Sequence, residues 1–445
     1  MTDRLDIETR EASETEDYFD LPKELHAKLE WFQNQKLGVI FHWGLYAEAG
    51  IVESWQLSEE DEWARAKKPW RDSVDILRKD YWKLNEQFNP TQFDPTVWAD
   101  LCKKAGFKYM IFTTKHHDGF NMYDTQYSDY KITSLDSKFH KNPKSDIFKE
   151  VVDAFRDKGL GIGAYYSKAD WHSPYYWVPG QHAKGRTASY DPLEQPEMWK
   201  KFKGFVHDQL IELARNYGPL DITWLDAGWV RKERTNEDLD MDRLASDMRL
   251  YNPNMLIVDR SVGGIHENYV TPERKIPDIP PVKVWESNIP HAKNWGYVPD
   301  DIYKSDTEMI ASIIKVVAKG GNLIIGIGPK PDGTLPEDSI DLLTTLSQWT
   351  ETNGEGIYNT KPFKHNIIDQ WYLTENSQHI YAFFVPKNEQ KSGKLNLNEL
   401  EIQINEEITD LDSGEKAEVR NNCLIHNSNK IKGYKITKKT ISENQ

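Results

Sequence analysis

Lys115-His116-His117-Asp118-Gly119-Phe120 sets two adjacent imidazoles and a carboxylate where an apolar run, Tyr109-Met110-Ile111-Phe112-Thr113-Thr114, gives out. Such a run reads as a buried parallel strand. The polar residues therefore fall in the loop at its C-terminal end, with Gly119 free to make the turn. The arrangement recurs twice: Leu37-Gly38-Val39-Ile40-Phe41 runs into His42-Trp43-Gly44, and Asp221-Ile222-Thr223-Trp224-Leu225 runs into Asp226-Ala227-Gly228-Trp229. Imidazoles and carboxylates serve general acid–base chemistry, nucleophilic attack and metal ligation. Three strand ends carrying them beside aromatic residues predict one polar pocket with aromatic walls. In barrels of alternating strands and helices, active sites are built at that end of the strands.

The elements that would bring these ends together are legible as an alternation. Strands are expected near 37–42, 108–114, 160–166, 221–226, 255–260, 282–286 and 321–327, and helices over about 95–105, 145–158, 196–216, 237–250 and 306–318, with a last one at 336–352. Strand–helix alternation implies parallel βαβ units and hence a (β/α)8-like, TIM-type barrel, irregular because only seven strands are visible. The eighth is expected within the irregular stretch 45–90 or in degenerate form. After Gly354 the texture changes to period-2 alternation, as in His379-Ile380-Tyr381-Ala382-Phe383-Phe384-Val385, which predicts a C-terminal antiparallel β-sandwich. The expected division is a polar N-terminal arm over 1–25, a catalytic barrel over 26–355 and the sandwich over 356–445.

Composition narrows the class. A formal charge of −15 argues against a nucleic-acid partner, because phosphate neutralisation needs a basic face. No apolar run reaches the length of roughly 18 residues that a membrane-spanning helix needs. The 16 Trp and 21 Tyr fit either a sugar-binding site, where rings stack on C–H faces, or a Trp-rich core. Cys102 and Cys423 are too few and too far apart for a disulfide framework or a thiolate metal site. The polar start, Met1-Thr2-Asp3-Arg4, lacks the apolar core of a signal peptide. A cytoplasmic location and a secreted or periplasmic one with the leader removed both stay open.

At this point an ordered set of motifs resembles a known family. His42-Trp43-Gly44, Glu53-Ser54-Trp55, the Lys115–Phe120 run, Trp224-Leu225-Asp226, Thr271-Pro272-Glu273, Trp285-Glu286 and Trp295-Gly296-Tyr297 occur in the order of the α-L-fucosidases, the family 29 glycoside hydrolases. Gly321-Asn322-Leu323 and Gly328-Pro329 with Asp332-Gly333 resemble the stretch that closes the barrel there. The resemblance implies a retaining, exo-acting hydrolase of terminal α-L-fucose on fucosylated glycans, without metal or organic cofactor. It implies Asp226 as nucleophile and, through the Thr-Pro-Glu motif, Glu273 as acid/base. It further implies His42, His116 and His117 as binders of sugar hydroxyls, Trp295 as a pocket wall, and Glu53 and Trp55 as further subsite residues. Trp224 and Glu286, from the same motifs, join the expected substrate-binding set. Two departures stand out: Gly326 replaces the Asn usual before Ile327-Gly328-Pro329, and the charged, Trp-rich segment 56–83 has no clear counterpart. That segment is expected to shape the leaving-group side.

Read for chemistry alone, retention needs two carboxyl groups roughly 5–5.5 Å apart. Asp226 at a strand end suits attack, although an Asp there also suits an N-cap. Glu273 follows Pro272, which restrains its backbone; Glu286, at the expected end of the next strand, and Glu267 compete with it. The acid/base should have the higher pKa of the pair. His116 and His117 alternate in direction if strand geometry continues. Asp118 is expected to serve backbone amides, and Tyr166, Asp170 and Trp171 are candidates for the pocket lining. Other readings are hydrolysis of α-L-galactosides or sulfated fucosides by the same machinery, a metal-dependent barrel hydrolase, and a sugar-binding pseudoenzyme. Lys67, Lys68, Arg71, Arg78 and Lys79 would receive a sulfate or form an ordinary solvated face.

Overall fold

The computed structural model describes residues 21–183, 185–260, 266–387 and 392–439, so the expected arm up to residue 20 lies outside the described residues. Seven parallel strands form the central sheet: β1 (Leu37–Phe41), β2 (Tyr109–Lys115), β3 (Gly161–Ser167), β4 (Ile222–Asp226), β5 (Leu256–Asp259), β6 (Glu286–Pro290) and β7 (Asn322–Ile327), in the order β5-β4-β3-β2-β1-β7-β6. The eighth position is not filled from 45–90, which folds into short helices. It is taken by the irregular segment 268–274. Asn268 N donates to Ile257 O at 2.9 Å on the β5 side, while Val270 N and Arg274 N donate to Val284 O and Asn288 O on the β6 side. This degenerate strand carries Glu273.

The helices are α1 (Lys23–Gln35), α2 (Leu45–Ala49), α3 (Val74–Tyr81), α4 (Pro95–Lys104), α5 (Ile147–Asp157), α6 (Pro196–Asn216), α7 (Lys232–Thr235), α8 (Met241–Arg249), α9 (Asp306–Ala318) and α10 (Glu337–Asn353). Their starts follow local chemistry. Asp94 accepts from Thr96 N ahead of Pro95, and Asp146 and Ser305 accept from Lys149 N and Glu308 N. In α5, Ile147, Phe148, Val151, Val152 and Phe155 fall on one face and are buried against the sheet.

The barrel interior is a filled core. Ile40, Tyr109, Ile111, Tyr165, Ile222, Trp224 and Ile324 pack there with Leu25, Leu29 and Phe32 of α1, which plugs the N-terminal end. Phe32 stacks on Tyr269 with centroids 4.3 Å apart. The sixth strand begins at Glu286 rather than ending there, so Glu286 lies deep in the barrel, fully buried, with Tyr109 Oη donating to it at 2.5 Å.

At the other end of β2 the turn works as its residues suggest. Gly119 has φ +76°, and a Cβ there would come within 2.2 Å of Asp170 Oδ1. Asp118 accepts from Phe120 N and from Tyr81 Oη. Behind the histidine pair lies an enclosed ion pair: Lys115 Nζ reaches Asp170 Oδ2 at 3.1 Å and Tyr166 Oη at 2.9 Å, with Lys115 fully buried. Asp170 Oδ1 also accepts from His172 N and Ser173 N, so this pair holds the β3 exit loop against the β2 exit loop.

Beyond α10 come β8 (Lys361–Ile368), β9 (Trp371–Glu375), β10 (His379–Phe384), β11 (Gly393–Asn396), β12 (Ile404–Asp410), β13 (Val419–Arg420), β14 (Cys423–His426) and β15 (Lys432–Lys438). They form antiparallel sheets β12-β15-β10-β9-β8 and β11-β14-β13 around a core that includes Trp371, Leu373, Ile380, Leu395 and Leu424. The sandwich docks on the barrel through Tyr358 Oη to Gly106 O at 2.7 Å and Asn366 Nδ2 to Ala318 O at 2.8 Å. Among the described residues, no helix is long and apolar enough to cross a membrane.

Removing one partner of a buried ion pair leaves the other uncompensated, which costs roughly 3–5 kcal/mol. Lys115→Met is therefore expected to destabilise the fold by about that amount, read as a lowered urea midpoint at unchanged m-value. A loss below about 1 kcal/mol would mean that the backbone amides alone satisfy Asp170.

Candidate active site

The C-terminal strand ends open into a cavity of about 870 Å³. Its lining includes His42, Glu53, Trp55, His116, Trp224, Asp226, Glu273 and Trp295, eight of the ten residues singled out in the sequence. The other two do not line it. His117 lies just behind the wall, and Glu286 is under the floor because of the register of β6. Glu267 is buried away from the cavity as well.

Asp226 closes β4. Ala227, next in the chain, has φ +68°, a left-handed conformation that a non-glycine residue adopts at some cost. Tyr165 Oη donates to Asp226 Oδ2 at 2.5 Å. Arg260 Nη1 lies 3.6 Å from Asp226 Oδ1, and the same guanidinium donates through Nη2 to Glu273 Oε2. One cation thus spans both carboxylates. Glu273 Oε1 accepts from Trp295 Nε1 at 2.9 Å and has Arg274 Nε at 3.5 Å.

Burial alone would raise both carboxyl pKa values, but the surroundings outweigh it. For Asp226 the Arg260 charge, the Tyr165 hydrogen bond, the nearby His116 and the Ala227 amide produce a net lowering. For Glu273 Arg260, Arg274 and Trp295 do the same. The expected ordering, with a raised acid at Glu273, is absent from this resting geometry. Of the other glutamates named for this site, two are raised, both chiefly by burial: Glu286 to about 8 beneath the floor, and Glu53 to about 7 within the lining. Glu53 sits at φ +30° and accepts from Gly296 N at 2.7 Å, which ties the β1 exit loop to the Trp295 loop.

The imidazoles are held as neutral bases. Burial lowers His116 to about 4, with the Asp226 charge opposing, and pushes His42 and His117 well below the ordinary range. The Ser54 hydroxyl is bonded to His116 Nδ1, and Ser167 Oγ lies 2.7 Å from His117 Nδ1. His117 Nε2 then faces Asp226 Oδ2 at 3.8 Å. His116, His117 and Asp226 each offer a ligand atom within 4.8 Å of the others, so among the described residues these three, two in the lining and His117 just behind it, form the group that could hold a cation.

Sequence reasoning passed over Tyr165, Arg260, Arg274 and Asn288, all in the lining. Tyr166, the candidate next door, points outward to Lys115 and Gln209. Period-2 alternation along β3 puts Tyr165 and Ser167 on one face and Tyr166 on the other, and only a tertiary contact such as Ser167 with His117 tells which face points inward. Neither Asp170 nor Trp171 lines the cavity. The Asn288 amide is buried without a hydrogen-bond partner among the described residues. Lys67, Lys68, Arg71, Arg78 and Lys79 stay out of the lining; Arg71 pairs with Asp80 at 2.6 Å, and Arg78 stacks on Trp177.

A barrel that gathers two carboxylates, neutral imidazoles and aromatic walls into one cavity at its strand ends defines a glycoside hydrolase. The family profile described as Alpha-L-fucosidase matches residues 7–355, and the chain belongs to the α-L-fucosidase family. Tissue alpha-L-fucosidase of Homo sapiens is 28% identical over 390 residues, which cover 82% of this chain and 77% of that protein. The Alpha-L-fucosidase of Dictyostelium discoideum is 25% identical over 79% of this chain and 77% of its own length. Among solved structures, alpha-L-fucosidase isoenzyme 1 from Paenibacillus thiaminolyticus superposes with a TM-score of 0.77 at 26% identity, covering 94% of this chain and 100% of that one. An α-L-fucosidase of Bacteroides thetaiotaomicron shares the fold, with TM-score 0.74 and 23% identity over 94% and 96% of the two chains.

The Gly326 departure has a local reason. A Cβ at Gly326 would come within 2.5 Å of the Trp295 ring, so the missing side chain makes room for that ring. Trp295 in turn stacks on His42 with centroids 5.0 Å apart. Gly326→Ala should push Trp295 off His42 and Glu273. Displacements near 1 Å cost up to about 10²-fold in rate, so kcat/KM on an aryl α-L-fucoside should fall by ten- to about a hundredfold while the thermal midpoint moves little. Unchanged kinetics would show that Trp295 can shift without consequence.

Proposed function

We propose that this fucosidase removes terminal α-L-fucose from fucosylated glycans with retention of configuration, by a two-carboxylate double displacement. The observation that carries the reading is the pair Asp226 and Glu273, held side by side in one cavity by Arg260. Asp226, kept ionised, attacks the anomeric carbon, and the anomeric C–O bond breaks as the leaving oxygen is protonated. Water then attacks the anomeric carbon, giving its proton to the carboxylate left by the acid, and the bond to Asp226 breaks, so the sugar leaves with its original configuration. For the Bacteroides protein, a covalent intermediate was trapped with 2-fluoro-fucosyl fluoride. The filled barrel beneath Ile40 and Trp224 makes the cavity blind, which suits a terminal residue rather than an internal one. His42, His116, Trp55, Trp224 and Trp295 supply the polar and apolar surfaces for the ring, with His117 steering Asp226 from behind.

Glu273 must carry a proton to act as acid, and Arg260 opposes that. Its contact with Glu273 therefore has to loosen as the sugar enters, leaving the guanidinium to Asp226. A second reading follows from Glu53, whose raised pKa of about 7 gives it a proton near neutrality in the same cavity. In that case Glu53 donates and Glu273 fixes Trp295. No basic residue of segment 56–83 lines the cavity, so nothing there favours a sulfated substrate.

Two measurements test these assignments. An aryl α-L-fucoside should release α-L-fucose first, at a rate unaffected by chelator. Release of the β-anomer would refute retention, and loss to chelator would put a cation on His116, His117 and Asp226. Glu273→Ala should lose at least about 10²-fold on substrates with poor leaving groups; on an activated aryl fucoside its turnover should be rescued by azide, giving the glycosyl azide of retained configuration. If Glu53→Ala shows that rescue and also loses the fall in kcat/KM above about pH 7, where a group raised to that value gives up its proton, Glu53 is the acid.

A further inference from the structure

Beyond the sugar pocket, the cavity mouth is lined by Glu60, Asp61, Glu62 and Trp63, all from the charged, Trp-rich segment 56–83. Trp63 is 55% exposed, an unusual state for so large an apolar ring. It is nevertheless fixed in orientation. Its Nε1 donates to Asp61 Oδ1 at 2.9 Å, and Asp61 is itself gripped by Arg186 through Nε at 3.0 Å and Nη2 at 2.7 Å. Arg186 stacks on Trp55 at 4.3 Å from its centroid. The loop is further laced by Arg65, which donates to the carbonyls of Gln56, Ser58 and Glu59. The Trp55 and Trp63 rings lie 6.1 Å apart, so an aromatic wall runs from the pocket out to solvent.

A large ring held in place and left uncovered at a cavity mouth gives a ligand a ready apolar face to stack on. We propose that Trp63 is the platform of an aglycone subsite that takes an uncharged pyranose, the residue from which fucose is cut. The C–H face of that sugar stacks on the indole, and the exposed carboxylates of Glu60 and Glu62 accept its hydroxyls. Because the loop is already held, the sugar meets a formed surface and little binding energy goes into ordering it. This inference rests on the fucosidase reading above.

The test compares α-L-fucosyl fluoride, whose leaving group is a single atom, with a panel of neutral fucosylated trisaccharides of different linkage. Wild-type enzyme should cleave the fluoride and at least one trisaccharide. Trp63→Ala should lower kcat/KM on the best trisaccharide roughly tenfold, the worth of one ring contact of about 1.4 kcal/mol, and leave the fluoride within about twofold. Trp63→Phe keeps a ring face without the indole N–H and should recover most of the loss. Equal losses on both substrates, or none on the trisaccharide, would overturn the proposal, as would a wild type that cleaves the fluoride and no trisaccharide. If wild-type enzyme cleaves neither, the fucosidase reading itself fails.

Discussion

Two carboxylates kept side by side in one pocket repel each other, and burial penalises both charges. In this protein one guanidinium, Arg260, answers both. Its position requires β5 beside β4, because Arg260 follows Asp259 at the end of β5 while Asp226 ends β4. It also requires the irregular segment 268–274 to stand as the eighth wall of the barrel, since that segment carries Glu273. A regular eighth strand would complete a smoother barrel. The degenerate one bends where Pro272 and Arg274 (φ +55°) turn Glu273 toward Arg260 and Trp295.

Around that triad the protein divides labour between strands and loops. The floor comes from strand residues in fixed register: Ile40, Tyr165 and Trp224 above, with the Tyr109–Glu286 hydrogen bond below. A packed floor excludes deep water and strengthens every charge interaction above it. The mouth comes from loops tied down by polar contacts, buried for Glu53 to Gly296 and Lys115 to Asp170 and partly buried for Asp61 to Arg186. Loops on a rigid scaffold are where specificity varies between relatives. The segment 56–83 supplies the outer wall here, through Glu60, Asp61, Glu62 and Trp63.

How far the sequence carried depended on the range of the signal. The helices over 95–105, 145–158 and 306–318 and the strands ending at Phe41, Lys115 and Asp226 were legible because amphipathic periodicity, caps and apolar runs are local. The β6 boundary was not, since Val284-Trp285 is as apolar as a strand and only pairing with β7 fixes the start at Glu286. That shift of four residues moved Glu286 from the rim to the core. The eighth strand was illegible for a related reason: residues 268–274 have no periodicity of their own and are held by backbone bonds to neighbours on both sides.

The sequence by itself determined which chemistry this protein carries, because imidazoles and carboxylates at strand ends, in a fixed order with their tryptophans, are written residue by residue. Tertiary structure alone decided which of them meet and in what charge state. Tyr165 rather than Tyr166 touches Asp226 because strand pairing sets the inward face. Glu273 is lowered and Glu53 raised because a pKa depends on burial and on charges distant in the chain, which no local pattern encodes. The exposed Trp63 likewise became meaningful only when folding set it at the mouth of a cavity whose floor is gathered from strands as far apart in the chain as Ile40, Tyr165 and Trp224.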